Sequence, residues 1–180
     1  DLQLTLPTTA GTLDRLERAG NILQVKQTHL TTRFSITFTP ATTVDITGLN
    51  LSITPSSTAS KILVFARASF ELNQVNSQDI VFNLTRNGTL VGLTSDSVGN
   101  RKKGLVGPLM GYWTDDASST QDFTAYNYLD SPNSLSALTY QVTFVSRWGS
   151  ILHINRCAQD GNSIAFEYLT SSITAMEVAG

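Results

Sequence analysis

Residues 60–72 read SKILVFARASFEL. Ile62, Val64, Ala66, Ala68, Phe70 and Leu72 share one parity; Leu63, Phe65, Arg67, Ser69 and Glu71 share the other. Side chains alternate across a strand, so this period of two predicts a long strand with its even-numbered face in a core. The first half, 62–65, is apolar on both parities. That predicts a strand central to its sheet, or one whose second face is covered by a neighbouring subunit.

The same alternation recurs on either side. Upstream, RFSITF puts Phe34, Ile36 and Phe38 on one face. TVDITGLNLSIT aligns Val44 and Ile46, then Leu49, Leu51 and Ile53, with Gly48 between the two sets as a bulge or bend. Downstream, DIVFNLTRNGTLVGLT is two alternating runs flanking Asn87-Gly88. That pair suits a two-residue turn in which both central residues need positive φ, so a hairpin is predicted between 79–86 and 89–94. Alternation returns in DFTAYNYLD, LTYQVTFVSR, SILHIN and SSITAMEVA, with DSPNS as a turn after the first. About ten short strands with regular turn signals predict an all-β fold, an antiparallel β-sandwich or barrel.

Two regions depart from this pattern. The chain opens with DLQLTLPTTAGTL, one short strand broken by Pro7 and Gly11, which reads as the end of something longer. Next comes TLDRLERAGN. Leu13 and Leu16 lie at i and i+3, Thr12 is placed to cap, and Gly20 ends a helix of about two turns. So short a helix is marginal alone, which predicts that Leu13 and Leu16 pack against copies of themselves or the base of the domain. The second region, 99–121, is glycine-rich and irregular around a short apolar segment.

Composition narrows the classes. Hydrophobic residues make up 41% of the 180 and charged residues 14%, well below the usual charged fraction of about 25%. Disorder needs the opposite balance. The net charge of −2 gives no electrostatic footprint for nucleic acid. No stretch is long and apolar enough for a membrane-spanning helix. The single cysteine, Cys157, excludes an intrachain disulfide and is expected to be a small buried residue. His29 and His153 are isolated, too few for a zinc site, so no metal or cofactor is expected. Asp115, Asp116 and Asp122 lack the spacing of a calcium loop. There is no nucleophile elbow, P-loop or dinucleotide fingerprint, so the chain is expected not to be an enzyme.

The remaining candidates are surface features. The stretch 99–121 combines Arg101, Lys102 and Lys103 with Tyr112, Trp113, Asp115 and Asp116, a mixture able to stack on a sugar face, meet acidic groups and accept hydroxyl hydrogen bonds. The basic triplet also fits a solvated loop tip. Trp113, and Trp148 in the RWGS turn, either stack on a ligand or anchor an interface, or else close the core at strand ends.

LTLPTTAGTL, GNILQV, VDITGLNLSITPSSTASKILV, YLDSPNS, TYQVTF, INR and SSITAMEVAG together resemble the C-terminal head domains of tail-fibre and related virion proteins of tailed bacteriophages, particularly marine ones. The resemblance runs from about residue 2 to 180 and is weakest over 73–121. It implies a homotrimeric, jelly-roll-like β-sandwich head at 21–180. Residues 1–20 would be the last piece of a β-rich shaft and a short helical neck, joined to other virion proteins. It also implies attachment to a host-surface receptor, a glycan or outer-membrane component, through loops distal to residues 1–20. The trimer interface is then expected at Leu13, Leu16, Leu63 and Phe65, and the receptor contacts at Arg101, Lys102, Lys103, Tyr112, Trp113, Asp115 and Asp116. Two other roles fit the same fold, a capsid decoration or connector protein with no receptor site, and a surface-polysaccharide depolymerase.

Overall fold

A computed structural model describes residues 18–72, 79–96, 98–108, 119–159 and 161–180. Leu13, Leu16, the predicted first strand and most of the predicted neck lie outside the described residues, as do Tyr112, Trp113, Asp115 and Asp116. Among the described residues there are ten strands and no α-helix: β1 Ile22–Leu30, β2 Phe34–Thr37, β3 Thr43–Ile53, β4 Lys61–Leu72, β5 Ile80–Arg86, β6 Thr89–Val91, β7 Asp122–Asp130, β8 Leu138–Ser146, β9 Ile151–Ile154 and β10 Ser171–Val178.

They form two antiparallel sheets. Sheet A runs β1-β10-β4-β9-β2, with β7 also paired to β4; sheet B runs β3-β8-β5-β6. The residues of 60–72 explain why β4 is the hub of sheet A. It is the longest described strand, long enough to pair with β7 over most of its length, with β10 along its first half and with β9 at its end. Its even-numbered residues are all buried, as their parity predicts. They face the inward sets of sheet B, and the two sheets meet through ring pairs. Phe70 of β4 packs on Phe82 of β5 with centroids 4.7 Å apart, and Phe38 meets Phe144 edge-on at 5.1 Å. Each such fully buried side chain contributes about 1.5–3 kcal/mol relative to exposure.

Both turn readings hold. The β3–β8 ladder shifts register between Asp45 and Asn50, and Gly48 sits there at φ +78°. The carbonyls freed by this bulge are not left bare, because the Gln141 amide donates to Ile46 O at 2.9 Å and Leu49 O at 3.2 Å. Asn87 and Gly88 take φ +50° and +81°, and β5 pairs with β6 across them. The second arm is shorter than predicted, ending at Val91. Gly92 turns the chain at φ +76°, where any Cβ would lie 2.9 Å from Leu105 and Tyr128. Leu105 and Val106 then take up the vacated edge of β5. Phe82 N donates to Val106 O at 2.9 Å, and Leu105 N donates to Phe82 O at 3.0 Å.

Hydrogen bonds fix the two ends. Gly20 N donates to Ala179 O and Ala179 N to Asn21 O, both at 2.8 Å, so the chain enters beside the end of β10 and the start of β4. The end of β4, the starts of β5, β7 and β10, and the β8–β9 turn lie at the opposite, far end.

Candidate functional site

Residues directly opposite each other in an antiparallel ladder share a face. On the outer face of sheet A, Val25 stands opposite Met176, Met176 opposite Leu63, and Leu63 opposite Leu129. This is an unbroken apolar row across four strands, with Val25 53% and Leu129 47% exposed. The next row is Gln27, Thr174, Phe65 and Asn127, with Phe65 42% exposed. One row further, Arg67 reaches Thr170 Oγ1 at 3.1 Å. A shallow depression lies beside Phe65, lined by Arg67, Ala125, Asn127, Ser172 and Thr174. Leu63 and Phe65 are thus held side by side on a solvent-facing sheet surface. Sequence parity placed those two residues there. Val25, Leu129 and Met176 were missed because only the strand register brings them into the row.

The other parity of β4 changes character along its length. Ser69 and Glu71 are buried although they point to the outer face. The segment after β9 covers them, and Ala158 N donates to Glu71 Oε2 at 2.7 Å.

The far end carries the described part of the predicted receptor site. Arg101 is exposed, whereas Lys102 and Lys103 are half-buried. Lys102 is ion-paired with Asp79, and Lys103 Nζ donates to Thr94 O at 3.1 Å. Asn83 Nδ2 donates to Lys103 O at 3.4 Å, and Gly104 packs its backbone on Val81. Two of the three cations therefore help to seat the loop rather than standing free. Trp148 is 45% exposed in the β8–β9 turn and does not close the core.

Two polar centres had no sequence signal beyond an isolated charge in a strand. Asp130 ends β7 and accepts from Arg86 Nη1 at 2.7 and 2.9 Å and from Tyr140 Oη at 2.6 Å, so it clamps sheet A to sheet B near the chain's entry. Burial, with the Asp130 carboxylate beside it, pushes the Tyr140 hydroxyl well above its usual range. Glu177 points inward from β10. Burial alone would raise its pKa, but donors from Gln24 at 2.6 Å and from the Ser56 amide and hydroxyl at 2.7 Å prevail and hold it at about 2. Cys157 is buried, and its thiol donates to Ser119 O at 3.0 Å. Burial pushes that thiol up to about 11, which favours its protonated form at neutral pH. His153 Nδ1 lies 2.8 Å from Ser35 Oγ. Among the described residues, no three His, Cys, Asp or Glu converge as a metal site.

No family model matches the chain, and neither does any curated protein. Among solved structures it is similar to a mutant VP2 protein of infectious bursal disease virus, in derived T=1 particles. The identity is 13% and the TM-score 0.34, covering 100% of this chain and 41% of that one. The chain therefore spans less than half the length of that protein, and at this level the likeness carries no argument about function.

Proposed function

We propose that this chain is the head of a bacteriophage virion fibre, a jelly-roll-like sandwich that assembles as a homotrimer and attaches to a host-surface receptor. The observation that carries the reading is the row Val25, Met176, Leu63 and Leu129, with Phe65 beside it. Contiguous exposed apolar surface of this kind marks an interaction site. Closed symmetric assembly of identical chains is the simplest way to bury it. The resemblance to fibre heads supplies the number of subunits and the virion setting. In this arrangement, residues 1–20 enter at one end from a shaft held by other virion proteins, and Arg101, Lys102 and Lys103 stand at the other, towards the host.

Sedimentation equilibrium of the purified chain tests the assembly. A mass three times that of one chain at micromolar concentration is expected; a stable monomer overturns it. Binding of the labelled chain to host cells, competed by whole phage, tests the attachment.

A further inference from the structure

Trp148 stands at the far end, away from the apolar row, in a turn pinned by hydrogen bonds and close packing. The Ser146 hydroxyl donates to Trp148 O at 2.6 Å and accepts from Trp148 N at 3.3 Å. Gly149 follows at φ +83°, packed so closely that a Cβ would lie 3.0 Å from Leu72 Cδ1. The indole is thereby held outward, half-exposed, with the Arg147 guanidinium 4.8 Å from its ring centroid. Asp79 ties this turn to the basic loop, because its carbonyl accepts from Arg147 N at 3.3 Å and its carboxylate pairs with Lys102. Asp79 neutralises one cation. Among the described residues, no carboxylate pairs with Arg101, Lys103 or Arg147.

We propose that Trp148 and Arg147, with the 101–103 loop, form a subsite for the carboxylated sugar of an anionic polysaccharide. This rests on the head reading above and names the ligand class of its far end. An aromatic ring offers a flat apolar surface to the C–H face of a pyranose, and a guanidinium over its opposite face pairs bidentately with a carboxylate that reaches past the rim of the ring. Arg147 occupies one side of the indole, and the other receives the sugar. A nucleic acid is disfavoured because the chain as a whole is net negative and the cationic surface is a single small patch.

The test is affinity electrophoresis of the intact chain through native gels containing polygalacturonate, dextran sulfate or neutral dextran, with binding of the same samples to host cells. Retardation is expected in polygalacturonate and not in dextran. Trp148→Ala and Arg147→Gln should each weaken it about tenfold with the melting temperature unchanged, while Trp148→Phe retains most of it. Equal retardation by dextran sulfate that is insensitive to Trp148→Ala indicates charge alone and overturns the subsite. So does unchanged binding of both variants to polygalacturonate. If the chain and Trp148→Ala bind host cells equally, the subsite falls and the head reading stands. If polygalacturonate binding depends on Trp148 but the chain does not bind host cells, the subsite stands and the attachment reading falls.

Discussion

On the outer face of sheet A, Val25, Met176, Leu63 and Leu129 line up across four strands. On the outer face of sheet B, Ser52 stands opposite Thr139, with their hydroxyls 2.9 Å apart, and Asn50 donates to Gln141 at 2.9 Å. Both faces are made by the same alternation and both back onto the same core. These polar residues are paired laterally within their own sheet, without a second chain. The apolar row has no polar groups to pair laterally, and Val25 and Leu129 at its ends stay about half-exposed, so it is the surface through which the proposed assembly would form. In a two-layer fold, the inward pattern defines the core, whereas the outward pattern shows which layer is left incomplete.

The sharpest way to break this contrast is to charge each face in turn. Leu63→Asp with Phe65→Asp should weaken assembly by at least about a thousandfold, since each copy would bury two unpaired carboxylates. Leu90→Asp, at an exposed apolar position on sheet B, should leave the assembled mass unchanged in the same sedimentation run. Dissociation by Leu90→Asp, or an intact assembly with the paired change, would move the interface off sheet A.

The next effect lies where the layers are joined. Asp130→Ala leaves the Arg86 guanidinium without its carboxylate and the buried Tyr140 hydroxyl without an acceptor, and should cost about 3–4 kcal/mol in urea unfolding. Glu177 gives a pH-dependent counterpart. Its folded pKa of about 2 lies below the ordinary 4.5, so the carboxylate form is the one the fold stabilises. That stabilisation, on the order of 2–3 kcal/mol, is fully present above about pH 4.5 and is lost as the pH falls towards 2. The stability gap between the wild type and Glu177→Gln should therefore narrow over that window. A gap that stays constant from pH 7 to 2.5 would place the coupling elsewhere.

The smallest effect concerns the hairpin of sheet B. Nothing lies within 4 Å of a Cβ built on Gly88, so Gly88→Val meets no clash and suffers only its φ of +81°. A loss of about 1–2 kcal/mol is expected in thermal unfolding, with the assembled mass unaffected.

Much of the strand pattern was legible because alternation is local. Residues 60–72 announced β4, Gly48 its bulge and Asn87-Gly88 its hairpin, each from side-chain parity or the φ a residue tolerates. The 99–121 stretch read as loop because Leu105 and Val106 form too short a run to signal a strand. They bridge to Phe82 only because Gly92 ends β6 early and leaves an edge open. Glu71 and Glu177 carry no local signal of burial, yet one is capped by the amide of Ala158 and the other by Ser56 and Gln24. These partners lie far away in sequence.

The candidate site divides the same way. Parity named Leu63 and Phe65 and composition named the basic triplet, but Val25, Met176 and Leu129 joined the row only through register. Trp148 and Lys102 came together only through Asp79. The sequence by itself determined that the chain is an antiparallel all-β fold, a sandwich or a barrel, where most of its strands run and which residues face inward, since those follow from period and turn chemistry within a few residues. Only the tertiary structure decided the order of the strands, the outer face left apolar and which carboxylates are sheltered. Each of these depends on contacts between residues tens of positions apart, which no local pattern encodes.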